Sequence, residues 1–143
     1  MFQPSQHDVR RFFCELRRKQ RERLPLDAME AQAAPWVAEH PEYHADLDDL
    51  EAALQAVYEV EAGRANPFLH LSMHLSIAEQ VSIDQPRGIR QAVELLASKR
   101  QSLHAAHHEV MECLGEMIWA SQRSGLPPDG QAYLEAVRKR ATR

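Results

Sequence analysis

The sequence contains little cysteine, glycine or aromatic side chain. Two cysteines among 143 residues are too few for a disulfide framework and favour a reduced, cytoplasmic protein. Five glycines and 6% aromatic residues, beside abundant Ala, Leu, Glu, Arg and Gln, favour helix. No apolar run reaches the ~20 residues that span a bilayer, and residues 1–6 lack the basic-then-apolar order of a signal peptide. We therefore expect a helical protein without a membrane segment.

Charge is distributed unevenly along the chain. Residues 1–23 carry seven basic and three acidic side chains, and residues 138–143 carry four basic ones. The remaining residues carry six basic against 18 acidic side chains. Basic ends on an acidic body can bind nucleic acid or an acidic protein, but they can equally fold back onto the body or remain solvated.

Apolar periodicity predicts helices throughout the chain, and no segment alternates as a strand does. The predicted caps include Ser5, Asn66 (before Pro67), Ser102 and Asp129, and a turn is predicted at residues 84–88. We predict an all-α, single-domain bundle of five to seven helices over residues 1–143. Pro35 is expected to kink or split the second helix. The predicted helices cover residues 5–24, 28 onward, 41 to about 63, 67 to about 83, 89 to about 100, 103–124 and 130 onward.

Histidines recur at a spacing of four residues. Six of the eight form three such pairs, whereas random placement would give roughly 0.4 pairs. Four residues make about one helical turn, so the two imidazoles of a pair lie on one helix face and can reach one ion. The pairs are His40 and His44, His70 and His74, and His104 and His108.

The first pair is interpreted as a helix start on the surface. His40 precedes Pro41, and a following proline disfavours α geometry. His44 falls off the predicted buried face, which consists of Tyr43, Leu47, Leu50, Leu54 and Val57. We therefore do not place a site there.

The second pair lies in an apolar sector of its predicted helix. His70 and His74 share this sector with Ile77 and Val81. Buried imidazoles need hydrogen-bond partners or a metal. Both interpretations, a buried polar network and a metal site, stay open for this pair.

The third pair is continued by an acid. His104, His108 and Glu112 follow one another at four-residue intervals, along a stripe at the edge of the predicted core. His107 falls instead on the apolar face of the same helix, with Val110.

Two antiparallel helices that each offer a histidine pair can build a metal site inside a bundle. Imidazole with carboxylate suits zinc or iron, and a metal-activated water would be the simplest mechanism for an enzyme. The sequence defines no reaction. The predicted ligands are His70, His74, His104 and His108, with Glu112 as a fifth ligand or a hydrogen-bond partner of a ligand.

Other catalytic motifs are absent from the sequence. It contains no glycine-rich phosphate loop, no CxxC, no Gly-x-Ser-x-Gly and no HExxH. Cys113 lies on an apolar helix face, where an inert structural thiol is expected.

The run NPFLHLSMHLSIAEQ at residues 66–80 resembles a bacterial family named only as domain of unknown function 1841. Residues 40–44, 84–86 and 108–116 are similar to other segments of that family. The resemblance extends over most of the chain and implies a stand-alone bacterial protein, with no activity attached. It implies an acidic or small residue at position 107, so His107 is not implied as a ligand. The residues that it picks out are His70, His74, Glu79, Gln80, His104 and His108.

A second functional hypothesis is an adaptor, and a homodimer is one assembly that the sequence allows for this chain. Its basic helix at residues 5–24 would contact nucleic acid or an acidic partner, and the histidines would only fill the core. Histidine nitrogens from the two helices within ~4–5 Å of one another would favour metal binding instead, because Zn–N bonds are about 2 Å long.

Overall fold

A computed structural model describes residues 5–58 and 66–143. All regular structure in these two ranges is helical, which confirms the all-α prediction. Eight α-helices occur there instead of the five to seven predicted, together with one 3-10 turn, Pro41–Tyr43. The helices are α1 Gln6–Glu22, α2 Ala28–Ala38, α3 His44–Leu47, α4 Leu50–Gln55, α5 Pro67–Ile83, α6 Ile89–Arg100, α7 Leu103–Ser124 and α8 Gly130–Ala141.

The additional helices come from a break at Asp49. The sequence predicts one helix from Pro41 to about residue 63, but the structure has the 3-10 turn, α3 and α4 up to Gln55. Asp49 adopts an extended backbone, and its carboxylate accepts a hydrogen bond from the Ala52 amide at 3.1 Å. Such a cap competes with continuation of the preceding helix. The part of the prediction beyond residue 58 lies outside the described residues.

The break also changes which side chains are buried. Leu47 is buried as predicted, whereas Leu50 and Val57 are 42% and 63% exposed.

The second helix, α2, is not split at Pro35. Its first turn has a reciprocal capping box between Asp27 and Glu30, which satisfies amide groups that would otherwise lack partners.

The predicted capping residues begin most of the other helices. Each accepts a hydrogen bond from a backbone amide two or three residues ahead, which satisfies a donor of the first turn. These residues are Ser5, Asn66, Ser102 and Asp129.

The chain divides into two compact units, residues 1–75 and 76–143, and the boundary falls within α5. In unit 1, α1 packs against α2, α3 and α4. The buried Arg10 side chain holds α1 to α4, because its Nη1 donates to the carbonyls of Ala53 and Ala56 at 2.7 and 2.8 Å. The core of unit 1 includes Phe13, Leu16, Trp36, Val37, Leu47 and Leu71.

In unit 2, α6, α7 and α8 pack against one another. The end of α5 contacts α8, where Tyr133 Oη donates to Gln80 Oε1 at 2.6 Å. Arg100 joins α6 to α7 through Glu109. The buried side chains of unit 2 include Ile89, Val93, Leu96, Val110, Leu134 and Val137.

No helix within residues 5–58 or 66–143 is both long and apolar enough to cross a membrane. The assignment of the whole chain to one domain stays a prediction.

Candidate metal centre

Unit 1 contains three histidines whose rings lie together. His40 precedes the 3-10 turn and is 3% exposed. His70 and His74 lie one turn apart on α5, and His74 is completely buried. The ring centroids of the three imidazoles are all 4.8 Å apart.

Their Nε2 atoms converge on His70. His70 Nε2 lies 3.1 Å from His40 Nε2 and 3.2 Å from His74 Nε2. With metal–nitrogen bonds of about 2.05 Å, two nitrogens of a tetrahedral site are about 3.3 Å apart. The two separations therefore match the spacing of ligands around one ion, and they also match hydrogen bonds between the rings.

Neighbouring groups fix the orientation of these rings. Trp36 stacks on His74 with centroids 4.3 Å apart, and Tyr43 stacks on His40 at 5.2 Å. His40 Nδ1 lies 2.6 Å from the carbonyl oxygen of Trp36. Packing of this kind keeps side chains in one rotamer.

In unit 2, His104 and His108 lie side by side on α7. Their Nε2 atoms are 3.1 Å apart. His104 is partly exposed and His108 exposed, in agreement with the prediction of a stripe at the edge of the core. The spacing again suits two ligands of one ion.

Two histidine pairs, one in each unit, have ring nitrogens close enough for a metal ion. His40 and His74 in unit 1 offer nitrogens within 4.8 Å of each other, and so do His104 and His108 in unit 2. His70 Nε2 lies within 3.2 Å of the other two imidazoles of unit 1.

The predicted acidic ligand, Glu112, forms an ion pair with Arg140. Its side chain is 64% exposed, and its carboxylate accepts a hydrogen bond from Arg140 Nη1 at 2.7 Å. A role as ligand stays a prediction, and it would require the carboxylate to serve both Arg140 and the ion.

His107 lies in the core, as its position on the apolar face predicts. It is 2% exposed. Burial lowers its pKa from 6.5 to about 3, and His104 and His108 act in the same direction. Its imidazole is therefore neutral at pH 7 and belongs to the packing of α7.

The sequence profile of a family described as a domain of unknown function, DUF1841, matches residues 5–139. The chain belongs to this family. Searches of curated proteins and of solved structures give no match. The DUF1841 match includes all the histidines described above.

In this DUF1841 chain, the sequence interpretation of His40 as a surface residue is wrong. The residue before Pro41 is non-helical, as expected, with φ −126° and ψ 62°, but it is buried, with 3% of its surface exposed. The recurrence of the four-residue spacing, which the sequence shows and this interpretation set aside, was the signal for His40. His44, its partner in the pair, has its Nε2 donating to the Val37 carbonyl at 2.9 Å.

The basic side chains of α1 contact acceptors within unit 1. Such contacts agree with the interpretation in which the basic end folds back onto the protein, and they leave fewer cations for an external polyanion. Five of the seven basic residues in 1–23 have such contacts. Arg10 donates hydrogen bonds to the carbonyls of Ala53 and Ala56. The other four form ion pairs: Arg17 and Arg21 with Asp48, Arg18 with Glu15 and Glu22, and Lys19 with Glu30.

Proposed function

We propose that this DUF1841 protein binds a transition metal ion through its clustered histidines. The observation that carries the proposal is the separation of 3.1–3.2 Å between neighbouring imidazole nitrogens in unit 1. The chelating pair His104 and His108 in unit 2, with the same spacing, supports it.

The ligands that we propose include the four histidines predicted from the sequence, His70, His74, His104 and His108, together with His40. Imidazole nitrogen is a borderline donor that suits zinc, iron, nickel and copper, and it suits magnesium and calcium poorly. Zinc and iron are our first candidates. An ion with an open coordination position would supply an activated water molecule.

Metal content is the direct test. The full chain is purified without an affinity tag, because a histidine tag would itself bind metal, and is analysed by inductively coupled plasma mass spectrometry. We expect about one transition metal ion per chain. A content below ~0.1 ion per chain after incubation with zinc or iron(II) would overturn the proposal.

A matched pair of variants makes the test specific. His74→Gln removes a histidine of the cluster, and His7→Gln removes one that is exposed on the first turn of α1. Metal content should fall in the first variant and stay unchanged in the second. An equal content in both would point to adventitious binding.

A further inference from the structure

We infer that His40, His70 and His74 are the principal ligands of this ion, with His40 held in the ligating tautomer by the backbone of Trp36. This inference rests on the proposed function and specifies which imidazoles bind first and through which atom. All three residues belong to unit 1.

The tautomer of His40 follows from its neighbour. A carbonyl oxygen can only accept a hydrogen bond, so the 2.6 Å contact between His40 Nδ1 and Trp36 O requires a proton on Nδ1. In a neutral imidazole, Nε2 then carries the lone pair. Metal-ligating histidines generally donate their other ring N–H in this way, which orients the ring and raises the basicity of the ligating nitrogen.

Both contacts of His70 involve the same nitrogen. Each Nε2 carries either one proton or one lone pair in the ring plane. His70 Nε2 faces the nitrogens of both His40 and His74 at hydrogen-bond distance. A proton on His70 Nε2 serves both neighbours only as a three-centre hydrogen bond. A cation in its place receives a lone pair from each of the three rings.

The ring orientations favour binding further. His74 is fixed against Trp36, and His40 against Tyr43. Rings that are already oriented lose little rotamer entropy when an ion binds. His104 and His108 are more exposed, so ordering them costs more, and we do not count them among the principal ligands.

The donor set defines the class of ion. Three neutral nitrogens and no required carboxylate favour Zn²⁺, Co²⁺, Ni²⁺ and Cu²⁺ over Mg²⁺ and Ca²⁺, which prefer oxygen. A site with three imidazole ligands retains at least one position for water or another molecule.

The test measures Zn²⁺ and Co²⁺ affinity of the tag-free full chain after removal of metal with a chelator. Isothermal titration calorimetry is applied to wild type, His40→Gln, His70→Gln, the double variant His104→Gln/His108→Gln, and the control His7→Gln. We expect His40→Gln and His70→Gln each to weaken binding at least ~10-fold, the double variant less than ~3-fold, and the control not at all.

A second measurement covers the case in which a buried substitution prevents folding. Long-range ¹H–¹⁵N spectra of the wild-type histidine rings, recorded with and without Zn²⁺, report which ring nitrogen binds the ion. We expect Nε2 of His40, His70 and His74 to shift on binding, and Nδ1 of His40 to remain protonated.

The outcomes separate the two proposals. If neither Zn²⁺ nor Co²⁺ binds to any of the proteins, both the proposed function and this inference are overturned. Binding that the double variant weakens as much as His40→Gln, or that leaves the His40 and His70 variants unaffected, would overturn this inference while the proposed function stands. Magnesium that binds as tightly as zinc would contradict the assigned class of ion.

Discussion

At the residue scale, a short list of neighbours decides the chemistry of each titratable side chain. His40 and His44 both lie near the C-terminal end of α2, and both contact its carbonyl groups. His40 uses Nδ1 and keeps Nε2 for its histidine neighbours, whereas His44 uses Nε2. Two histidines four residues apart thus differ in which nitrogen a ligand can reach. Sequence spacing alone does not contain this difference, because the partner atoms come from other turns of the chain.

Cys14 gives a prediction at this scale. Its thiol is 6% exposed, and burial, followed by Asp49 and Asp48, raises its pKa from 9.0 to about 11. The neutral thiol is favoured in the folded state, so this contribution to stability is complete below pH 9 and is lost as pH rises toward 11. At pH 8 only about one thiol in a thousand is ionised.

We therefore expect Cys14 to react with iodoacetamide at pH 8 at least ~10-fold more slowly in the folded protein than in urea, because the thiolate is the nucleophile. Mass spectrometry of a Cys113→Ala variant measures the rate at Cys14 alone. Equal rates in native buffer and in urea would show that the thiol is accessible and unperturbed.

At the element scale, local signals were sufficient for the long helices. The Asn66–Pro67 start, the Ser102 cap and the turn before Ile89 gave α5, α6 and α7 within a residue or two, because each signal acts through nearby backbone groups. The break at Asp49 was missed because the apolar spacing from Tyr43 to Val57 continues across it, and periodicity carries no information about a competing side-chain cap.

The cap at Asp49 can be tested by substitution. Asp49→Ala removes the carboxylate that accepts from the Ala52 amide, and we expect a loss of about 1 kcal/mol in the free energy of unfolding. Urea denaturation measures it. Glu51→Ala, an exposed acid in the first turn of the same helix, is the matched control and should change stability by less than ~0.5 kcal/mol.

The basic helix α1 gives a second prediction. Because Arg17, Arg18 and Arg21 have carboxylate partners within unit 1, we expect no tight binding to RNA or DNA at physiological salt. Fluorescence anisotropy with labelled oligonucleotides checks this from 50 to 300 mM salt, a range over which phosphate contacts weaken steeply. Binding that falls steeply with salt, and is lost in the triple variant with alanine at these three positions, would support the adaptor hypothesis instead.

At the scale of the whole molecule, the all-helical class, seen throughout residues 5–58 and 66–143, and membership of the DUF1841 family were predicted from the sequence and are confirmed. Composition and periodicity act over the whole chain, so they identify a fold class well. They identify a site less well, since His40 and His70 are 30 residues apart and meet only through tertiary packing.

The single-domain prediction can be tested by cooperativity. The chain has two tryptophans, Trp36 in unit 1 and Trp119 in unit 2. We expect Trp36 fluorescence of a Trp119→Phe variant and far-ultraviolet circular dichroism to give the same urea midpoint, as in a two-state transition. Midpoints that differ by more than ~0.5 M would show that the two units unfold separately.

Because Trp36 stacks on His74, its fluorescence can report which kind of ion is bound at His74. The indole lies 4.3 Å from an imidazole that we propose as a ligand, so an open-shell ion bound to that ring would be close enough to quench its emission by electron or energy transfer. A closed-shell ion at the same place would leave most of the emission intact. In the Trp119→Phe variant, Trp36 emission measured with Cu²⁺ and with Zn²⁺ would therefore distinguish copper from zinc at this position, without any added label.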